Sequence, residues 1–227
     1  MILKQLKSKI SAIIFDCDGV LVDSEFIASQ VSLRMLEPYG VKMTLKDYAR
    51  LFAGKVEEDI IGVIKKEYSI TLPEDYVPHL KLAIEHALDN ELQPIPGVKE
   101  TLSKIDKKMG VASNSRLVRV IHSLKIAELS DIFGKNLFAA EMVPQPKPHP
   151  DLYLLAAEKL QVDPKECLVV EDSVTGVTAA SSAGMHVVGF LGASHIYEGH
   201  DQKVMKAGAF TTVQSMKELD TLFQQIN

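Results

Sequence analysis

The chain has 227 residues, of which 46% are hydrophobic and 24% are charged, as in ordinary soluble globular proteins. Its formal net charge of -5 argues against a nucleic-acid binder, whose phosphate contacts need clustered Lys and Arg. Cys17 and Cys167 are the only cysteines, so neither a disulfide framework nor a zinc site is indicated. No apolar run approaches the roughly 20 residues of a membrane helix, and the N-terminus lacks the apolar core of a signal peptide. We therefore expect a cytoplasmic protein that binds no membrane.

The first predicted strand, residues 13–15, runs directly into Asp16, Asp18 and Gly19. Residues two apart on an extended chain point the same way, so the two carboxylates can face one small volume. Two such anions repel each other and need a cation, a shared proton or water between them. Because ligands bind at the carboxyl ends of strands in open α/β sheets, the cation is the interpretation that makes a site. The alternative is a hairpin, since Asp-Gly between apolar runs is also a strong turn signal.

Residues 24–93 change character, because their apolar residues recur at helical spacing and no convincing strand interrupts them. From Gly97 onward, helices alternate with strands. The predicted elements are helix 98–106, strand 109–113, helix 116–125, strand 137–140, helix 151–160, strand 168–171, helix 174–183, strand 187–190, strand 209–213 and a helix from residue 215. Such alternation indicates βαβ units and a parallel sheet that is covered on both faces.

The predicted fold is therefore α/β, a doubly wound, Rossmann-like parallel sheet that carries an inserted all-helical cap. The core comprises residues 1–23 and 96–227, and the cap comprises residues 24–95. Both connections between them lie side by side if the core is compact, and paired linkers of this kind make a hinge.

Further polar residues follow the later predicted strands. Ser113 and Asn114 end the second strand, where a hydroxyl and backbone N–H groups can bind an anion, although such residues also cap helices. Lys147 has a proline on each side, which suits a fixed positive charge, although a rigid solvated linker is an alternative. Glu171 and Asp172 end another apolar strand. A parallel sheet would bring all these residues to one edge, which chance placement explains poorly.

Asp16-x-Asp18-Gly19-Val20, Ser113, Lys147 and Glu171-Asp172 resemble, in order and context, the motifs of haloacid-dehalogenase superfamily phosphohydrolases with a helical cap. The resemblance covers essentially the whole chain and is close to the β-phosphoglucomutase and sugar-phosphatase branch. It implies a nucleophile at Asp16 and a general acid and base at Asp18, with phosphoryl-oxygen contacts from Ser113 and Lys147.

The resemblance also implies Mg²⁺ held by Asp16, the Asp18 carbonyl and Asp172, with help from Glu171. Ligand sets made of oxygen alone suit Mg²⁺ rather than zinc. The metal and a lysine would neutralise the charge where a carboxylate meets a phosphate dianion. The implied substrate is a small phosphorylated metabolite, such as a sugar, polyol or sugar-acid phosphate, and we expect a monomer.

Two departures from the mutases of the similar branch favour a phosphatase. Those mutases carry a His twelve residues after the nucleophile and an Arg three residues after the cap glycine, where this chain has Ala28 and Glu57. A phosphomutase remains the first alternative and a phosphoacceptor signalling module the second. Gly54, Lys55 and Arg116 are further candidates for binding the substrate.

The histidines form no recognisable triad. His195, His200 and Asp201 could in principle hold a metal, but we interpret them as polar loop residues, and residues 192–199 as a mobile loop.

Overall fold

The computed structural model describes residues 10–52, 55 and 57–226, and these contain one six-stranded parallel sheet. In chain order its strands are β1 Ala12–Phe15, β2 Lys108–Ser113, β3 Leu137–Ala139, β4 Cys167–Glu171, β5 His186–Phe190 and β6 Thr211–Val213. Their spatial order, β3-β2-β1-β4-β5-β6, is that of a doubly wound Rossmann-like sheet, so the predicted fold class is confirmed. The hairpin alternative is wrong, because β1 pairs with β2 and β4 in parallel.

Helices occupy the connections between the strands. Between β1 and β2 lie α1 Ser24–Leu36, α2 Leu45–Phe52, α3 Glu57–Glu67, α4 Tyr76–Glu91 and α5 Val98–Leu102. The later helices are α6 Leu117–Ile126, α7 Ser130–Phe133, α8 Asp151–Leu160, α9 Val174–Ser182, α10 His200–Ala207 and α11 Met216–Ile226. Short 3₁₀ helices cover Glu37–Tyr39, Ala140–Met142 and Pro164–Glu166. None of the described helices combines the length and the apolar character that crossing a membrane requires.

One predicted helix differs from the structure, and one observed helix was not predicted. The helix predicted over residues 98–106 ends at Leu102, because the chain turns there and the N–H of Ile105 donates to the Leu102 carbonyl at 3.1 Å. Helix α10 was missed altogether. Only His200 and Val204 of that helix are buried, so its sequence lacks the apolar stripe that marks a helix.

Each face of the sheet is covered, as the apolar strands of a parallel sheet require. Ile13 and Phe15 point into one apolar cluster, while Ala12 and Ile14 point into another on the opposite face. The first cluster continues into the helical segment through residues such as Ile27 and Leu80. The inserted helices are thus packed against the sheet by shared apolar burial.

The two connections between the sheet and the inserted helices lie side by side. The N–H of Asp23 donates to the Gln93 carbonyl at 3.1 Å, and the N–H of Ile95 donates to the Leu21 carbonyl at 2.9 Å. Val22 and Pro94 form an antiparallel bridge between these two bonds. The chain therefore enters and leaves the helical segment through one short, paired stretch of backbone.

Candidate active site

The carboxyl edge of the sheet brings together the residues that the sequence analysis placed at strand ends. Strand β1 lies between β2 and β4 in the sheet, so Asp16 follows the central strand. Ser113 ends β2, and Glu171 ends β4 on the other side. Asp16, Ser113 and Glu171 line a single cavity, and Lys147 lines it as well. The predicted convergence is therefore present, at the point where ligands bind in open α/β sheets.

Lys147 is the centre of a buried hydrogen-bond network. Its Nζ donates to Asp16 Oδ1 at 2.7 Å, to Glu171 Oε1 at 2.6 Å and to the Ala112 carbonyl at 2.7 Å. Three acceptors satisfy all three ammonium hydrogens. Burial alone would lower the pKa of Lys147, but the charges of Asp16 and Glu171 outweigh it and raise that pKa well above its usual value. The lysine is thus a fixed positive charge beside Asp16.

Glu171 is completely buried, and its two carboxylate oxygens accept four hydrogen bonds. Lys147 Nζ and the Tyr153 hydroxyl, at 2.8 Å, donate to Oε1. The backbone N–H and hydroxyl of Ser173 donate to Oε2 at 3.1 and 3.0 Å. A Cβ added at Gly176 would lie 1.6 Å from Glu171 Oε1, so only glycine leaves room for this carboxylate. These contacts favour Glu171 as the residue that holds Lys147.

Asp16, Glu171 and Asp172 form a buried acidic cluster whose nearest carboxylate oxygens all lie within 4.8 Å of one another. Burial raises the pKa of Asp16 well above its usual range, Lys147 lowers it, and the charges of Glu171, Asp172 and Asp18 raise it further. Negative charge therefore exceeds positive charge around Asp16. Close-set oxygen donors with surplus negative charge fit a hard divalent cation such as Mg²⁺.

Asp18 is held by three hydroxyl groups. Ser24 donates to Oδ1 at 2.6 Å, while Ser113 and Ser115 donate to Oδ2 at 3.1 and 2.8 Å. Ser24 is the first residue of α1, so Asp18 also contacts the start of the inserted helices. The Ser113 hydroxyl, which we expected to contact phosphate, donates to Asp18 in this arrangement.

Asn114 lines the same cavity, and its side chain binds the backbone of Lys147. Its amide oxygen accepts from the Lys147 backbone N–H, and its amide nitrogen donates to the Lys147 carbonyl, both at 3.0 Å. The side chain that we assigned to phosphate is thus engaged with the lysine loop. Arg116 is exposed before α6 and is not among the described residues that line the cavity. Gly54 lies outside the described residues.

The cavity above these groups has a volume of about 400 Å³. Its lining also includes Glu25, Lys55 and Glu57, which belong to the inserted segment. Burial raises the pKa of Glu25 to about 7, His195 lowers it, and nearby carboxylates add to the rise. Lys55, a candidate for binding the substrate, is thus among the residues that line the cavity.

His195 lies in the loop after β5, as expected, whereas His200 is not a loop residue and that part of the interpretation was wrong. Both are buried, and His200 belongs to α10. His195 Nε2 lies 3.0 Å from Asp172 Oδ2, and His200 Nε2 lies 2.6 Å from the Asp172 carbonyl oxygen. Burial would lower the pKa of His195, but the hydrogen bond and charge of Asp172 raise it above its usual value.

Sequence reasoning missed several polar residues that complete the site. They are Ser24, Ser115, Tyr153 and Ser173, whereas His195 and His200 were considered as metal ligands and set aside. The best available signal was position, because Ser24 and Ser115 lie in stretches adjoining predicted strand ends. Tyr153 had no such signal, since it lies within a helix.

Comparison with known proteins agrees with this geometry. The family model described as haloacid dehalogenase-like hydrolase matches residues 13–190. A 6-phosphogluconate phosphatase of Escherichia coli (strain K12) is 31% identical over 215 residues, which cover 93% of this chain and 95% of the relative. Hexitol phosphatase B of the same strain is 31% identical over 186 residues, covering 79% of this chain and 83% of the relative.

Solved structures of haloacid dehalogenase-like proteins are also similar to this chain. A haloacid dehalogenase-like protein of unknown function from Agrobacterium tumefaciens has a TM-score of 0.90 and 35% identity, with 95% of this chain and 98% of that chain covered. A family hydrolase from Deinococcus radiodurans, solved with bound phosphate and sodium, has a TM-score of 0.87 and 30% identity, with 96% and 97% covered. This chain belongs to the haloacid dehalogenase-like hydrolase family.

Proposed function

We propose that this protein is a Mg²⁺-dependent phosphatase that acts on a small phosphorylated sugar or polyol through an aspartyl-phosphate intermediate. The observation that carries the proposal is the buried Lys147 ammonium, 2.7 Å from Asp16 Oδ1, beside the cluster of Asp16, Glu171 and Asp172. Family membership and the phosphatase names of the relatives identify the chain as a phosphoric monoester hydrolase. The metal, the intermediate and the residue roles below are our proposals.

The metal would be held by Asp16, the Asp18 carbonyl and Asp172, with Glu171 beside it. When bound, it would neutralise phosphoryl charge and so let a carboxylate approach. Asp16 attacks phosphorus, forming an Oδ–P bond while the bond from phosphorus to the leaving-group oxygen breaks. Lys147 lies where it can neutralise the charge on Asp16 and on a phosphoryl oxygen.

Asp18 is the proposed general acid and base. It gives its proton to the departing alkoxide, then takes one from the water that attacks phosphorus and releases Asp16. Its three hydroxyl partners, Ser24, Ser113 and Ser115, hold the carboxylate beside the nucleophile. These bonds use both acceptor sites of Oδ2 and one site of Oδ1, so Oδ1 keeps a site for the transferred proton.

We propose that residues 24–95 act as a cap that covers the leaving group. The paired linkers at Asp23–Gln93 and Leu21–Ile95 place both covalent connections of this segment side by side, as a hinge requires. Cavity residues Glu25, Lys55 and Glu57 all belong to the inserted segment. Closure would exclude water until the leaving group has gone.

The charge of the cavity favours an uncharged, hydroxyl-rich leaving group. Its described lining carries six carboxyl groups, from Asp16, Asp18, Glu25, Glu57, Glu171 and Asp172, against the cationic groups of Lys55, Lys147 and His195. Even with Asp18 holding the proton that it donates and Glu25 partly protonated at its pKa of about 7, negative charge stays in excess. Mg²⁺ and the transferred phosphoryl group would compensate each other, so a second anionic group would meet surplus negative charge. Glucitol 6-phosphate should therefore be a better substrate than 6-phosphogluconate, which differs by a carboxylate at the far end.

The same charge counts against the mutase alternative. A mutase must hold a second phosphate, yet Glu57 lines the cavity where the similar mutases carry an arginine. Ala28, which replaces their histidine, has no ionisable group. Water is thus the favoured final acceptor.

A phosphate-release assay over sugar, polyol, sugar-acid and nucleotide monophosphates, with Mg²⁺ or with EDTA, tests the proposal. We expect turnover that needs the metal and is abolished by Asp16→Asn. Near-normal rates in that variant would exclude Asp16 as the nucleophile. Conversion of glucose 1-phosphate into its 6-phosphate isomer would assign a mutase, and a stable phosphoprotein with little turnover would assign a signalling module.

A further inference from the structure

We propose that His195 and His200 are positioning residues that hold Asp172 from two sides and orient its carboxylate toward the metal. This inference rests on the proposed function, in that Asp172 is taken as a metal ligand. Neither histidine needs to touch the metal or the substrate. Their role is to fix one ligand in place before the metal arrives.

The hydrogen bonds define which atoms are engaged. A carbonyl oxygen can only accept, so His200 Nε2 donates to the Asp172 backbone carbonyl at 2.6 Å. His195 Nε2 faces Asp172 Oδ2 at 3.0 Å, and a carboxylate likewise accepts. Both imidazoles thus carry hydrogen on Nε2. Within the described part of the chain, neither Nδ1 atom has a hydrogen-bond partner.

This pair of contacts restrains Asp172 more than either could alone. His200 fixes the backbone from which the side chain projects, and His195 fixes one end of the carboxylate. The other carboxylate oxygen of Asp172, Oδ1, then stays available to bind a metal beside Asp16. Outer hydrogen bonds of this kind hold metal ligands in their binding orientation.

The local backbone is shaped to fit this arrangement. Gly19 has a φ of +80°, and a Cβ there would lie 2.0 Å from Asp172 Oδ2 and 2.9 Å from His195 Cε1. Any side chain at position 19 would therefore separate the histidine from the aspartate. The glycine that follows Asp18 is needed here for the Asp172 contact as well as for the turn.

His195 is also tied to the start of the inserted helices. The neighbouring residue, Ser194, donates from its backbone N–H to Asp23 Oδ1 at 3.2 Å and from its hydroxyl to Asp23 Oδ2. Asp23 directly precedes α1. The loop that carries His195 is thus fastened to the linker on one side and to Asp172 on the other.

The test measures Mg²⁺ binding to the whole chain by isothermal titration calorimetry, without substrate. His195→Ala and His200→Ala should each weaken binding by about 10- to 100-fold, the usual effect of losing an outer partner of a metal ligand. His195→Gln, whose amide can still donate to Asp172, should recover much of the affinity. His86→Ala, at an exposed position of α4, is the matched control and should bind as the unchanged protein does.

Unfolding temperatures in EDTA separate a local effect from a general loss of structure. Unchanged Mg²⁺ affinity in both Ala variants would overturn the proposal, as would a Gln variant no better than His195→Ala. Complete loss of binding in His195→Ala without rescue by Gln would instead make His195 a ligand. If the unchanged protein neither binds Mg²⁺ nor needs it for turnover, the proposed function fails, which is a distinguishable result.

Discussion

The side-chain amide of Asn114 brackets the backbone of Lys147, accepting from its N–H and donating to its carbonyl, each at 3.0 Å. Asn114, the residue that follows β2, thus positions the loop that carries Lys147. Asn114→Ala would release that backbone while leaving the ammonium intact. We expect kcat to fall by about 10²-fold, because small misplacements of an active-site group have such effects, with a smaller change in KM.

Steady-state kinetics on a sugar phosphate would check this result. Gln145→Ala, at an exposed position in the same loop, is the control and should leave kcat unchanged. Equal kcat in Asn114→Ala and the unchanged protein would show that the bracket is dispensable.

Lys147 should be essential for stability as well as for turnover. Lys147→Ala leaves two buried carboxylates, Asp16 and Glu171, without their shared cation. Breaking a buried ion pair from one side costs about 3–5 kcal/mol of unfolding free energy. Urea unfolding measures this loss, with the exposed Lys159→Ala as control, for which we expect a change within about 0.5 kcal/mol. If Lys147→Ala were as stable as the unchanged protein, the buried network would not contribute to stability and the prediction would be wrong.

Two glycines in helices should respond in opposite directions to alanine. At Gly176 a Cβ would lie 1.6 Å from Glu171 Oε1, so Gly176→Ala must displace the carboxylate that anchors Lys147. We expect lower stability and lower kcat. At Gly62 in α3 nothing lies within 4 Å of the added Cβ, so Gly62→Ala should raise the free energy of unfolding by up to about 1 kcal/mol. Thermal unfolding of both variants checks the pair, and two changes of the same sign would count against it.

Glu25 gives a prediction for pH. Its pKa is about 7 in the folded chain, against a reference of 4.5, so the folded state holds this proton more tightly than the unfolded state does. The free energy of unfolding should therefore fall as pH rises from 4.5 to about 7, and Glu25→Gln should remove that part of the slope.

Urea unfolding in EDTA at pH 5 and pH 8 would measure this difference. The free energy of unfolding of Glu25→Gln, relative to that of the unchanged protein, should increase as the pH rises. Glu91→Gln, which alters an exposed carboxylate, should leave the slope as it was. Parallel pH profiles for all three proteins would show that Glu25 ionises normally.

Much of the fold and the centre of the site could be predicted from the sequence, because both depend on local patterns. Apolar runs that stop at Asp16 and Glu171 mark strand ends, and parallel strands place their carboxyl ends at one edge. The topology then brings Lys147 to Asp16 across 131 positions of sequence. Helix α10 lacked such a pattern, since its sequence is largely polar and only two of its residues are buried.

The partners of the site residues could not be predicted in the same way. Whether Asn114 turns to a ligand or to the Lys147 backbone depends on side-chain directions that spacing does not encode. His195 meets Asp172 only because the chain after β5 folds back over the sheet edge. The sequence of that loop does not reveal its burial.

The backbone pairing at Val22 and Pro94 has an evolutionary consequence. Because the two linkers of the inserted segment, residues 24–95, leave the sheet at neighbouring points, we expect that this segment can be replaced by another of different length without altering the strand order. New selectivity can then arise by exchange of the module while the nucleophile and its lysine stay in place. A chimera that carries a relative's module between Asp23 and Gln93 should retain the reaction and acquire that relative's choice of phosphate ester.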